Sequence, residues 1–156
     1  MLGYINDHVS DILIRIQNAQ RSKLQYTSFY RKKTSIHDSA NISIDLLDTL
    51  YREGYITSYE VKKDHLPRGK DDQFVDKIQI HLKYHSSAPH PHLPVIRQIK
   101  RISKPGRRVY ISNRDIRYLS SQNTFELYII STPQGLYSLH TARKLGLGGE
   151  LLCKII

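Results

Sequence analysis

The chain has 156 residues, of which 24 are Lys or Arg and 14 are Asp or Glu, so its formal net charge is +10. This length suits one compact unit or two small ones, and the excess of positive charge indicates a polyanionic partner such as nucleic acid. One cysteine excludes an internal disulfide and a multi-cysteine metal site, and no apolar run approaches the roughly 20 residues of a membrane helix.

The first predicted helix has an apolar stripe at helical spacing, made of Val9, Ile12, Leu13 and Ile16. Asn6 or Asp7 can cap this helix, and an acidic cap also suits the positive end of its dipole. The next segment, 21–33, holds five basic residues, three aromatics and no acidic residue. A short strand is expected within it over 24–30, with loops on either side.

A second helix and two strands are expected next. The helix runs from about 41 to 53, and its apolar face consists of Ile42, Leu46, Leu47 and Leu50. Gly54 can take the left-handed conformation that ends it. Strands over 55–61 and 74–84 flank a polar loop over 62–72, and the second of them alternates apolar and polar residues as a half-buried strand does.

The second half of the chain predicts short antiparallel strands, over 95–102, 108–112, 125–132, 136–140 and 150–155. Pro105 and Gly106 suit a type II turn between the first two strands, and 132–135 suits a type I turn. Asn113 can cap a short helix, and one helical turn is expected over 141–145.

These elements predict an α+β fold made of two small modules. The N-terminal module, over 1–85, has the order α-β-α-β-β. A proline-rich loop over 86–94 connects it to a C-terminal, mostly antiparallel β module with short helices, over 95–156. The modules are expected to pack together because neither buries a generous core alone.

Positive charge is concentrated in the segment 97–117, which has eight basic residues and, in Asp115, one acidic residue. Six of the eight are arginines, whose planar guanidinium groups bind phosphate oxygens at two points. A membrane-surface helix would need an opposite apolar face, whereas Pro105 and Gly106 break this region into a hairpin. The segment therefore favours RNA or DNA over lipid, with an ordinary solvated surface as the alternative.

The sequence contains only weak signals for a catalytic or metal-binding site. Four histidines are close in sequence, namely His81, His85, His90 and His92, but they lack the spacing of metal ligands. Asp71 and Asp72 lie in a polar loop without a candidate nucleophile or base, and the 146–149 glycines lack a nucleotide-binding pattern. Cys153 lies in an apolar run that predicts a buried thiol. We therefore expect no enzyme, metal, cofactor or small-molecule substrate.

Three stretches in this order carry a family resemblance: RISKPGRRVY at 101–110, IISTPQG at 129–135 and GLGGELLC at 146–153. With DHVSDILIRIQNA at 7–19 and REGYI at 52–56, the resemblance extends over nearly the whole chain. The chain resembles bacterial-type small-subunit ribosomal protein eight. This resemblance implies a structural constituent of the small ribosomal subunit that binds a central-domain helix of ribosomal RNA, contacts neighbouring subunit proteins and helps assembly and translation. A translational regulator or RNA-processing factor outside the ribosome is the alternative.

The predicted RNA-binding residues are Ser131, Thr132, Gln134, Gly135, Tyr110, Lys104, Arg107, Arg108, Gly148, Gly149, Glu150, Arg143, Arg15, Asn18, Arg21 and Lys23. The family usually has Ser where this chain has Pro133, and a basic residue where it has Gln134. The RNA site is therefore expected to differ at this turn.

The compartment is inferred from resemblance as well. KYHSS at 83–87, followed by RISKPG at 101–106, looks most like organelle versions of the family. No import presequence is recognisable, which favours synthesis within a mitochondrion. A plastid and the bacterial cytoplasm are the alternatives, and no membrane association is expected.

Overall fold

The computed structural model describes residues 7–32, 40–66, 73–85, 93–122 and 125–156, and the chain divides into two compact units, Met1–Val95 and Ile96–Ile156. The first unit contains α1 (His8–Arg21), β1 (Tyr26–Lys32), α2 (Ala40–Arg52), β2 (Ile56–Leu66), β3 (Gln73–Leu82), β4 (Tyr84–His85) and β5 (Leu93–Pro94). The second contains β6 (Ile99–Arg101), β7 (Tyr110–Ile111), α3 (Asn113–Gln122), β8 (Leu127–Thr132), β9 (Gly135–Ser138), α4 (Leu139–Leu145) and β10 (Gly149–Ile155). The predicted α+β class is confirmed.

The first unit is a three-stranded antiparallel sheet, in the order β1-β3-β2, with two helices. Its core consists of Val9, Ile12, Leu13, Ile16, Phe29, Leu46, Leu47, Leu50, Ile56, Ile78, Ile80 and Leu82. Asp7 caps α1 because its carboxylate accepts a hydrogen bond of 3.1 Å from the Ser10 backbone N–H. Gly54, at φ +77°, follows the end of α2 as predicted. Ile42 is an exception to the predicted apolar face, since it is 36% exposed.

Two predicted loops of the first unit contain strand instead. Strand β2 continues to Leu66, and its polar part pairs with β3 from Lys62, opposite Lys77, onwards. Backbone pairing within the hairpin extends this strand, so its polar composition is a poor guide to its end. Leu93 and Pro94 of the expected connecting loop pair with β4. The rest of both loops, 67–72 and 86–92, lies outside the described residues.

The second unit is an antiparallel sheet in the order β6-β10-β8-β9, and β7 also pairs with β10. Helices α3 and α4 share a buried cluster with the sheet, formed by Ile116, Tyr128, Ile130, Leu139, Ala142 and Leu151. The strands β6 and β7 are shorter than predicted because they share one edge of β10: β7 pairs with its beginning and β6 with its end.

Two other predictions, the cap of α3 and the type of the turn at Gly106, are corrected by the local geometry. Ser112, not Asn113, caps α3: its hydroxyl donates to the Asp115 carboxylate at 2.6 Å and accepts from the Asp115 backbone N–H at 3.3 Å. Gly106 has no left-handed φ, which position i+2 of a type II turn requires, so the predicted turn type is wrong. The chain still reverses there through two backbone hydrogen bonds, of 3.0 and 2.9 Å, between Lys104 and Arg107.

Candidate nucleic-acid interface

The three sequence motifs of the second unit meet at the start of β10. Glu150 pairs with Tyr110 of β7 on one side and with Ser131 of β8 on the other. The basic hairpin, the turn after β8 and the glycine loop are therefore neighbours in one sheet, although they are far apart in sequence. We call Tyr110, Glu150 and Ser131 the central row.

The Glu150 carboxylate joins the hairpin to β10. It accepts hydrogen bonds from the Ser103 hydroxyl and, at 2.7 Å, from the Arg108 guanidinium. Burial raises the pKa of the Glu150 carboxyl, but the hydrogen bonds from Ser103 and Arg108 lower it. The positive charges of Arg108 and Arg101 lower it further, and the resulting pKa lies below the ordinary glutamate value. Glu150 is therefore an anion that orients a basic hairpin.

Ser103 is a further residue of this site that was not among the predicted RNA-binding residues. Its side chain is fully buried, and its hydroxyl also accepts a hydrogen bond of 3.3 Å from the Val109 backbone N–H. The residue thus ties the two sides of the basic hairpin to Glu150. Its position inside the motif RISKPG was the only signal that could have identified it.

Gly148 and Gly149 are required by the approach of neighbouring strands. A Cβ atom on Gly149 would lie 2.1 Å from the Ser131 carbonyl oxygen, and one on Gly148 would lie 2.9 Å from the Ile111 carbonyl oxygen. Neither glycine has a left-handed φ. The close approach of the neighbouring strands therefore accounts for both glycines.

The turn after β8 separates the roles of Ser131 and Thr132. Thr132 is 8% exposed, and its hydroxyl donates to the Gly135 carbonyl at 2.9 Å and accepts from the Gln134 N–H at 3.2 Å. Thr132 therefore builds the turn. Ser131 is half-buried, and its hydroxyl has no hydrogen-bond partner within the described part of the chain. Pro133 and Gln134 are exposed at the end of the turn.

The remaining predicted residues of the second unit are exposed. Tyr110 is 73% exposed, and Lys104 and Arg107 lie at the tip of the basic hairpin. Arg143 lies on α4, where its guanidinium donates a hydrogen bond of 2.9 Å to the Ser120 hydroxyl. Further exposed cations of the basic segment are Arg97, Lys100, Arg108, Arg114 and Arg117. The unit thus combines an exposed ring, a hydroxyl and cations.

The other four predicted residues belong to the first unit. Arg15, Asn18 and Arg21 are exposed on the C-terminal half of α1, and Lys23 follows the helix with a φ of +54°. The Arg15 guanidinium forms an ion pair of 2.8 Å with Asp11, four residues earlier. These side chains are accessible, and that of Arg15 is already engaged.

In the ranges that the structure describes, no group of His, Cys, Asp and Glu residues could hold a metal ion. No helix within those ranges is long and apolar enough to cross a membrane. Asn6, Lys33, Asp71, Asp72, His90 and His92 lie outside them. Cys153 is buried, and burial raises the pKa of its thiol to about 12, as expected of a structural cysteine.

Comparison with known proteins places the chain in a family. The family model described as ribosomal protein S8 matches residues 7–156. The small ribosomal subunit protein uS8 of Mesorhizobium japonicum is 38% identical over 97% of this chain and 98% of its own length. The protein of the same name from Brucella abortus strain S19 is 39% identical over the same shares, and that from Cereibacter sphaeroides is 38% identical. The chain therefore belongs to the ribosomal protein S8 family.

Proposed function

We propose that this chain is a structural constituent of the small ribosomal subunit and binds its ribosomal RNA directly through the surface around the central row. One observation carries the proposal: Tyr110, Glu150 and Ser131 pair side by side in one sheet next to an exposed basic hairpin. Membership of the ribosomal protein S8 family supports the ribosomal role.

The residues of this surface suit an irregular RNA helix. The Tyr110 ring can stack on an unpaired base, and the Ser131 hydroxyl can bond a base edge or a 2′-hydroxyl group. Lys104 and Arg107 can bind phosphates, which fix the register of the protein on the RNA without reading its sequence. Glu150 keeps Arg108 and the hairpin in place. Binding of this kind needs no catalytic residue.

We further propose that the RNA partner is a helix in the central domain of the small-subunit RNA, and that the chain also contacts neighbouring small-subunit proteins. The test is to crosslink the chain to RNA in its native extract and to sequence the attached fragments. The proposal predicts one enriched region, in the central domain. Fragments drawn mainly from messenger RNA would support a translational regulator instead.

The ribosome concerned is proposed to be mitochondrial, on the basis of the organelle-like stretches at 83–87 and 101–106. Relatives from Mesorhizobium, Brucella and Cereibacter are compatible with a mitochondrial or a bacterial ribosome. Immunodetection in gradient fractions prepared in parallel from purified mitochondria, plastids and cytoplasm tests the point. Sedimentation with mitochondrial small subunits is expected, and exclusive recovery with plastid or cytoplasmic ribosomes would contradict it.

A further inference from the structure

The sheet of the first unit has an exposed outer face. Along β1, Phe29 points into the core, whereas Tyr26 and Tyr30 are 56% and 43% exposed. Along β3, Ile78 and Ile80 are buried and alternate with half-buried polar residues. Exposed tyrosines on a strand that has a well-formed inner face are not needed for the core of this unit.

Three rows of side chains cross this outer face. The first contains Tyr26, His81 and Ser58, and the third contains Tyr30, Lys77 and Lys62. The second row, between them, contains Ser28, Gln79 and Glu60. The rings of Tyr26 and His81 are 6.4 Å apart, and the Lys77 ammonium lies 5.7 Å from the centre of the Tyr30 ring. The first and third rows are four residues apart on β1, or about 13 Å. We call the six residues of the first and third rows the tyrosine face.

The charges of the third row are unfavourable for the sheet alone. Lys62 and Lys77 are directly opposite each other on neighbouring strands, and like charges in such a pair destabilise a sheet. Lys62 has an ion pair of 2.9 Å with Glu60. Among the described residues, Lys77 has no carboxylate at ion-pair distance. An anion bound between the two ammonium groups would relieve their repulsion.

We propose that the tyrosine face binds single-stranded RNA. Two unpaired bases stack on Tyr26 and Tyr30, while a phosphate lies between Lys62 and Lys77. Aromatic rings beside cations are the combination that such binding uses, because every base has a face that can stack and every linkage has a charge. The sequence adds Arg31, Lys32 and Lys33 directly after Tyr30. This site lies on the first unit. It binds single-stranded RNA, whereas the central row is proposed to bind a folded RNA helix. The proposal therefore does not rest on the proposed ribosomal function.

The first test uses the full chain and an oligouridylate of about ten nucleotides. Anisotropy of a labelled oligonucleotide measures affinity, and photocrosslinking of a thiouridine version followed by peptide mass spectrometry locates the contact. The expected result is a crosslink in the peptide that contains Tyr26 and Tyr30. The double variant Tyr26→Leu/Tyr30→Leu should lose affinity about tenfold or more, whereas Tyr26→Phe/Tyr30→Phe should keep most of it because the rings remain.

A second variant separates binding from folding. Lys77→Gln should lower the slope of log affinity against log salt by about one unit, because one phosphate contact is lost. The same variant should raise the melting temperature of the free protein, because the repulsion with Lys62 is removed. A residue with only a structural role would not change affinity and stability in opposite directions.

The proposal is overturned if the leucine double variant binds the oligonucleotide as the wild type does, or if all crosslinks fall within 96–156. In that case the tyrosines are available to a protein partner instead. Tyr51→Leu, at an exposed tyrosine of α2 outside the tyrosine face, is the matched control, and oligonucleotide binding should be unchanged in it. Failure of the proposed ribosomal function would appear as loss of binding to the folded ribosomal RNA helix, which this experiment does not use.

Discussion

At Gly149 the backbone of β10 approaches β8 so closely that even a methyl group has no room. Gly149→Ala would place its Cβ 2.1 Å from the Ser131 carbonyl oxygen, a backbone atom that cannot rotate away. We expect the free energy of unfolding to fall by about 3 kcal/mol or more, as measured by urea denaturation.

Gly106→Ala is the matched control for this prediction. A Cβ on Gly106 meets nothing within 4 Å, and its φ is not left-handed. The free energy of unfolding of the Gly106→Ala variant should therefore stay within about 0.5 kcal/mol of the wild-type value. Equal effects of the two substitutions would show that strand approach is not the reason for glycine at 149.

The ionisation of Glu150 links stability to pH. Its folded pKa is lower than its unfolded pKa, so the folded chain binds fewer protons at acidic pH. The resulting stabilisation is present above the unfolded value of about 4.3 and is lost as the pH falls through the folded pKa. Glu150→Gln should therefore lower stability at neutral pH by about 1–3 kcal/mol and flatten the loss of stability below about pH 5.

Urea denaturation of both proteins between about pH 3 and pH 7 measures this difference. Glu53→Gln, which changes an exposed carboxylate, controls for the general effect of removing one negative charge. If Glu150→Gln and the wild type lost stability in parallel on acidification, the hydrogen bonds from Ser103 and Arg108 would not be important in solution.

Ser131 and Thr132 are adjacent but should respond to different measurements. Ser131→Ala should weaken binding to the ribosomal RNA helix by about 1 kcal/mol and leave stability unchanged, because its hydroxyl has no partner in the described structure. Thr132→Ala should lower stability by about 1 kcal/mol, because the turn loses two hydrogen bonds. Filter binding and thermal denaturation of each variant distinguish the roles, and identical profiles would contradict this division.

At the scale of elements, the basic hairpin should dominate the response to salt. Lys104→Ala combined with Arg107→Ala should lower the slope of log affinity against log salt by about two units at most, since each exposed cation accounts for one phosphate contact. Arg108 is left in place because it also holds Glu150. Arg52→Ala, which removes a cation paired with Asp48, is the control. An unchanged slope in the double variant would exclude the hairpin from phosphate binding.

The elements also show which features could be predicted from sequence. Helix α1 and its cap at Asp7 follow from local spacing, and the structure has both. The ends of β6 and β7 depend on how they divide the edge of β10, which is a contact between distant parts of the chain. The length of β2 depends on pairing with β3, although its residues near Lys62 are polar. Local composition does not contain such information.

At the scale of the whole molecule, the sequence predicted the α+β class and the ribosomal family, and both hold. The motifs also contained the three residues of the central row, but they did not predict the hydrogen bonds and backbone contacts around them. Ser103 and the packing of Gly149 against Ser131 become visible only when the strands are paired. The net charge of +10 indicates an anionic partner without locating its site.

The most direct test of the RNA surface is an electron cryomicroscopy map of the native small ribosomal subunit that contains this chain. In this map, Tyr110 is expected to stack on a base, the Ser131 hydroxyl to lie within hydrogen-bond distance of a nucleotide, and Lys104 and Arg107 to face phosphates. A map in which these four side chains face solvent or protein, with the RNA bound elsewhere on the chain, would contradict it.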